Sequence, residues 1–292
     1  MQVLPHFATV GPNDAPNTAL LLHGILGSHR NWRSFARRLA TALPDWRFVL
    51  VDQRCHGNST HLSGPHTVAS CAEDLVRLEE HLGCSVQAVI GHSFGGKVAL
   101  EWSIKPRSQR ATVIVLDSPA GGTAARVQSS LARGSDTAKE PLDTDTSAVE
   151  RVIQAVRTVP MPVTDRRDVA DFLHAKGFSG GLASWMTSNL RREGKILVWS
   201  FDLDGVIELL QDYRQLDYWD IVQAPPQDVD LVQIWAENSD RWLPSDRAQL
   251  AEIDHPRSRV YRLKDAGHWL HVDNAAGLLA LLVPVLRTDG RC

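Results

Sequence analysis

Short apolar runs of strand length alternate with longer amphipathic stretches along the first part of this chain. Thr18-Ala19-Leu20-Leu21-Leu22-His23-Gly24, Arg47-Phe48-Val49-Leu50-Val51-Asp52, Val86-Gln87-Ala88-Val89-Ile90 and Ala111-Thr112-Val113-Ile114-Val115-Leu116-Asp117 are nearly continuous in apolar residues. Such runs suit strands buried on both faces of a parallel sheet. Between them, Phe35, Leu39 and Leu43 share one helical face, with Arg33, Arg37 and Arg38 largely off it. Val68 to Leu82 reads as a second amphipathic helix through Leu75, Leu78 and Leu82. The alternating run Val3 to Val10 contains Pro5 and is expected at a sheet edge.

The rhythm changes at about residue 121. Up to about 225 no buried-strand pattern recurs, and helix-like pieces cover Ala148–Val159, Asp165–Ala175, Gly181–Arg191 and Asp204–Arg214. The polar stretch Ser135 to Ser147 is expected to be mobile. Strand patterns return at Val229 to Trp235 and Arg259 to Leu263, followed by an apolar helix from Ala275 to Leu286 that Pro284 interrupts. Alternating strands and helices predict an α/β chain with a doubly wound, mostly parallel sheet. Residues 1–120 and 226–292 form its core, and residues 121–225 form a helical lid.

In such sheets ligands bind beyond the carboxyl ends of the strands. His23, Asp52, Ser93, Asp117, the loop after Trp235 and His268 all follow predicted strands. Ser93 lies in Gly91-His92-Ser93-Phe94-Gly95-Gly96, between a strand and a helical pattern. Gly-x-Ser-x-Gly in that setting reads as a nucleophile elbow. The turn is so tight that side chains at 91 and 95 would collide. A serine hydroxyl needs an adjacent base, and His268, in the loop after the last strand, can supply it. The third member is a carboxylate that orients the imidazole. Asp117 and Asp240 both follow strands, and chemistry alone does not separate them. The oxyanion donors are expected to be the amides of Phe94, at a helix N-terminus, and Ile25, after His23-Gly24.

Composition narrows the field. The chain has 292 residues and a net charge of −3, with no basic patch for nucleic acid. No apolar stretch reaches membrane-spanning length, so stable membrane insertion is not expected. No signal-peptide pattern opens the sequence. An intracellular, soluble chain is expected, cytoplasmic or organellar, plastid or mitochondrial if a transit peptide has been removed. Cys55, Cys71, Cys84 and Cys292 form no CxxC pair and are expected to be reduced thiols. The spacing of His56, His61 and His66 is not a zinc pattern, so no metal is expected. Asp52 is expected to brace the turn His56-Gly57-x-Ser59, and Trp185, Trp199, Trp219 and Trp242 to pack or line the lid.

Leu22-His23-Gly24-Ile25-Leu26-Gly27-Ser28, Val51 to Ser59, Gly91 to Lys97 and Gly267-His268-Trp269-Leu270-His271 together resemble the α/β-hydrolase superfamily. The resemblance is greatest to the abhydrolase-domain group eleven branch of acyl-ester esterases, with Ala236 to Trp242 similar to its plant and algal members. It implies the α/β-hydrolase fold, with a helical lid between the sixth and seventh strands. It also implies a serine esterase or thioesterase that works without a cofactor on a small-molecule acyl ester or thioester. In that branch the acid follows the sixth strand, which by position is Asp117, with Ser239 near the histidine. The alternatives are a carbon–carbon lyase or hydrolase on the same triad, and a weakly hydrolytic ligand-binding receptor. The sequence does not give the acyl chain or the oligomeric state.

Overall fold

The structure is a computed structural model that describes residues 3–122 and 144–289. Seven strands form one sheet, β1 Phe7–Val10, β2 Asn17–Leu22, β3 Trp46–Val51, β4 Ala88–His92, β5 Ala111–Leu116, β8 Val229–Ala236 and β9 Ser258–Leu263, and a separate hairpin joins β6 Leu190–Glu193 to β7 Ile196–Trp199. The order across the sheet is β1-β3-β2-β4-β5-β8-β9. All neighbours are parallel except β1, which pairs antiparallel with β3 at the edge.

The apolar runs have a simple cause. Successive side chains of a strand face opposite sides of the sheet, and both sides here are covered. Leu20, Leu22, Val49, Val51, Val89, Val113 and Val115 belong to one buried cluster. Ala19, Leu21, Phe48, Leu50, Ile90, Ile114 and Leu116 belong to the other. The first cluster continues into α2 Val68–Leu82, α3 Phe94–Ser103 and the elements inserted after β5. The second continues into α1 Arg33–Ala42 and the last helix, Ala275–Asp289. Each buried Leu, Val or Ile contributes about 1.5–3 kcal/mol relative to exposure. A polar residue in either register would therefore damage a core.

The insertion differs from expectation in detail. It consists of α4 Thr144–Thr158, α5 Arg166–Ala175, α6 Gly180–Ser188, the β6–β7 hairpin, α7 Leu203–Gln215 and α8 Trp219–Gln223. The helix expected to run to Arg191 ends at Ser188, and Leu190-Arg191 begin the hairpin. Its tight turn contains Gly194, whose φ of +59° suits glycine. Because a single antiparallel strand precedes the parallel run, the insertion follows the fifth strand of this sheet, one earlier than expected. Most of the expected mobile stretch, 135–143, lies outside the described residues, whereas Thr144–Ser147 open α4. After α9 Pro244–Ala251 and the short α10 Leu270–Asp273, the last helix, α11, continues through Pro284 instead of stopping there.

A buried lysine fastens the insertion to the elbow helix. Lys97 is 1% exposed, and its Nζ donates to the carbonyls of Gly121 at 3.0 Å, Tyr213 at 3.0 Å and Leu216 at 2.8 Å. The ammonium has three protons to give, and those of Tyr213 and Leu216 lie at the C-terminal end of α7, where cations are favoured. Lys97→Met removes all three of these donated hydrogen bonds from a buried site, and a loss of about 1–3 kcal/mol is expected. Urea unfolding of the two proteins measures it.

Candidate active site

Ser93 occupies the turn between β4 and α3 with φ 53° and ψ −118°, a strained conformation for a residue with a side chain. The turn closes so tightly that a β-carbon at Gly91 would overlap the Gly95 carbonyl. One at Gly95 would lie 2.8 Å from the His23 carbonyl oxygen. Among the described residues no hydrogen bond from the Ser93 hydroxyl is present. The Ser93 amide donates to the Leu116 carbonyl at 2.9 Å, which sets the elbow beside the end of β5.

Asp117 follows β5 directly, with φ 46°. Its side chain is buried, and both carboxyl oxygens accept hydrogen bonds. Oδ1 accepts from the Ala236 amide at 2.9 Å and from Trp242 Nε1 at 2.7 Å. Oδ2 accepts from Ser239 Oγ at 2.5 Å and lies 2.7 Å from His268 Nδ1. With Nδ1 donating, the other nitrogen of His268, Nε2, is left to accept a proton. Asp240 is not brought to the histidine. Its side chain is 63% exposed and pairs with Arg241 at 3.3 Å. The reason is the turn after β8: Ser239 N donates back to the Ala236 carbonyl at 3.2 Å, so Ser239 faces Asp117 and Asp240 faces solvent.

Two further histidines frame this pair. His92 is buried, and its Nε2 donates to the His268 carbonyl at 2.7 Å with the rings 4.6 Å apart. His271 stacks on Trp32 at 4.5 Å. Sequence reasoning missed the contacts of His92 and Trp242. The position of His92 next to Ser93 was the one local signal. Trp242 gave none, because its partner is 125 residues away.

The loop after β2 carries Ile25. Residues 24–27 form a turn closed by Gly27 N donating to Gly24 O at 3.0 Å, with Leu26 at φ 59°. The Leu26 amide is taken by His56 Nε2 at 3.0 Å, and His56 Nδ1 donates to the Arg54 carbonyl at 2.8 Å. His56 thus fixes the turn that carries Ile25. Among the described residues, neither the Ile25 amide nor the Phe94 amide donates a hydrogen bond. Asp52 accepts from the amides of His29 at 2.7 Å and Asn58 at 3.0 Å, and Ser59 Oγ donates to its carbonyl at 2.7 Å, bracing the neighbouring loop. The carboxyl of Asp52 is held well below the usual range by these donors, with the His29 side chain the foremost, against the opposing effect of its burial.

Burial depresses the pKa of several of these imidazoles: His92 well below its ordinary value, His271 to about 4, His56 to about 3, and His23 downward. Neighbouring histidines add to the effect at His92, His271 and His56. They are neutral when folded, whereas in the unfolded chain each takes up a proton below about pH 6.5. The unfolded state then binds more protons, so stability falls as pH drops from 6.5 towards 4. Each such group adds a slope approaching about 1.4 kcal/mol per pH unit. Urea midpoints at about pH 7 and about pH 5 test the sign, which is a lower midpoint in acid.

His56, His61 and His66 do not converge: His56 supports the Leu26 turn, His61 contacts the carbonyls of Asn58 and Leu4, and His66 lies against Cys55. Among the described residues, two other groups bring metal-ligating atoms together, His6–His29–Asp52 and Cys55–His66–Asp202. Cys55, Cys71 and Cys84 are free thiols. Two of the four tryptophans face other parts of the insertion or its edge: Trp185 pairs with Trp269 at 5.6 Å and Trp199 stacks on Phe201 at 5.1 Å.

A parallel sheet wound on both faces, with a strained serine turn after one strand and a histidine–carboxylate pair beside it, defines a chain of the α/β-hydrolase class. A family model described as the alpha/beta hydrolase family matches residues 19–281, and the chain belongs to that family. It is 25% identical over 280 residues to the sn-1-specific diacylglycerol lipase ABHD11 of Mus musculus, covering 94% of this chain and 82% of that protein. The Danio rerio protein of the same name is 23% identical over 92% of this chain and 78% of its own length. Among solved structures, a marine microorganism esterase superposes with a TM-score of 0.77 at 23% identity, covering 97% of this chain and 99% of that one. These relatives accord with the resemblance to the group eleven branch. No described helix is long and apolar enough to cross a membrane.

Proposed function

We propose that this protein is a serine hydrolase that cleaves a carboxylic ester or thioester through an acyl-Ser93 intermediate. The observation that carries the reading is the 2.7 Å contact of His268 Nδ1 with the buried Asp117, beside the strained turn of Ser93. Ser93 Oγ attacks the acyl carbon while His268 Nε2 takes its proton. Asp117 holds the imidazole in the tautomer that leaves Nε2 free and stabilises the charged ring. The amides of Ile25 and Phe94 receive the developing oxyanion, each worth about 2.7–4 kcal/mol of barrier. His268 then protonates the departing alcohol or thiol, and water repeats the cycle on the acyl-enzyme. The donors of Asp117 hold its carboxyl still: Trp242, Ser239 and the Ala236 amide.

The elements between residues 121 and 225 serve as a lid over the acyl group. Trp185 of α6 against Trp269, the residue after His268, supports that reading. So do the names of the relatives, a diacylglycerol lipase and an esterase. The test is covalent. A fluorophosphonate probe is expected to modify the protein once, at Ser93, and to block turnover of acyl esters. Modification at another residue, or full activity after labelling of Ser93, overturns the proposal. Esters and thioesters of graded acyl length then define the substrate.

A further inference from the structure

Away from Ser93, three side chains with metal-ligating atoms meet from separate parts of the chain. Cys55 comes from the loop after β3, His66 from the loop before α2, and Asp202 from the N-cap of α7. Their ligating atoms lie within 4.8 Å of one another. Cys55 Sγ is 3.2 Å from His66 Nδ1. The two oxygens of Asp202 divide their work: Oδ1 accepts from the Asp204 amide at 3.2 Å, capping α7, and Oδ2 is turned to the cluster. The backbone holds two of the three in register. Asp202 N donates to the Cys55 carbonyl at 2.8 Å, and His56 bridges Phe201 in antiparallel fashion.

Gly205 supplies the decisive detail. A β-carbon there would sit 2.5 Å from Cys55 Sγ, 2.9 Å from Asp202 Oδ2 and 3.2 Å from His66 Cδ2. Gly205 thus lets all three side chains close over its bare α-carbon, where a methyl would overlap Cys55 Sγ and crowd Asp202 and His66. Its φ is outside the left-handed region, so the backbone does not call for glycine. Glycine in a helix costs about 1 kcal/mol relative to alanine. What the residue provides is room.

We propose that Cys55, His66 and Asp202 form a binding site for a thiophilic divalent cation of the zinc class, which ties the inserted helices to the sheet. The donor set decides the class. Sulfur, imidazole nitrogen and one carboxylate suit Zn²⁺, whereas Mg²⁺ and Ca²⁺ take oxygen ligands. Bonds of about 2.3 Å to sulfur and about 2.0–2.1 Å to nitrogen bring S and N to about 3.5 Å in a tetrahedron, near the separation here. On binding, the thiol proton leaves to solvent and the Sγ–metal and Nδ1–metal bonds form, with water as the fourth ligand. The other cluster fits a cation less well, because the oxygens of Asp52 already accept the amides of His29 and Asn58. The exposed Asp202 and half-buried His66 leave an approach to the buried sulfur.

The test uses the full chain, stripped with a chelator and titrated with Zn²⁺ against a chromophoric competitor. One tightly held ion per chain and a raised Tm are expected. Cys55→Ser and Asp202→Asn are each expected to weaken binding by more than about 100-fold, beyond the cost of losing an outer-shell partner. Asp202→Asn keeps a side chain that caps a helix. Gly205→Ala removes no ligand but pushes Cys55 Sγ and Asp202 Oδ2 out of place, and is expected to weaken binding comparably. Co²⁺ is expected to give a thiolate-to-metal absorption band in the native chain and none in Cys55→Ser. Undiminished Zn²⁺ affinity in the variants, or no binding by the native chain, overturns the proposal. If Cys55→Ser does not fold, Asp202→Asn and Gly205→Ala decide, with circular dichroism confirming that they are folded.

Discussion

Ser93→Ala is expected to lower the turnover of acyl esters by about 10⁶-fold, the loss found when a hydrolase loses its nucleophile. The residue sits in a turn whose strain comes from the backbone, with φ 53°, so alanine keeps the fold and removes only the hydroxyl. A residual rate about 10³–10⁴ above water is expected from the oxyanion donors and binding. The chain should also lose its reaction with a fluorophosphonate. Measured kcat values for native and variant protein on a short acyl ester decide the matter. Turnover within tenfold of native would remove Ser93 from the mechanism.

The second large effect separates two carboxylates. Asp117→Asn is expected to cost about 10⁴-fold in kcat. An amide there can turn an N–H towards His268 Nδ1, which stabilises the tautomer with the proton on Nε2 and leaves no base for Ser93. The same amide faces donors from Ala236, Ser239 and Trp242, so some stability is expected to go as well. Ser93 labelling and circular dichroism separate the two losses. Asp240→Asn is expected to leave kcat near native, since its side chain is mostly exposed and a surface ion pair with Arg241 contributes about 0–1 kcal/mol. Equal losses in the two variants would contradict the assignment of the acid to Asp117.

The pairing of His92 with the His268 carbonyl also ties down the loop that carries His268. A neutral ring that donates to the main chain of His268 holds that residue from behind, at 2.7 Å, without competing for Asp117. Burial, reinforced by the neighbouring imidazoles of His268 and His271, opposes a charge on His92. The elbow motif thus contributes more than its serine, since residue 92 anchors the loop that carries His268.

Periodicity alone determined the sheet. Runs such as Leu20-Leu21-Leu22 and Val113-Ile114-Val115 are apolar at every position because both faces of each strand are buried, and the alternation of strands and helices then dictates parallel pairing. The elbow was equally legible, because its requirements lie within six consecutive residues. Local pattern did not reveal the β6–β7 hairpin. Its strands are short, and three of the four residues of β6 are exposed, so they carry no strand-like burial signal. The residue pattern left Asp117 and Asp240 open, since both follow strands and both are aspartates; the resemblance pointed to Asp117, and in the folded chain their surroundings differ. The difference lies in what surrounds them: the donors that bury and hold Asp117 come from residues 236, 239, 242 and 268, far along the chain. A hydrogen-bonded pocket assembled from distant residues leaves no periodic trace in the sequence, because each donor satisfies its own local pattern and meets the others only when the sheet has formed.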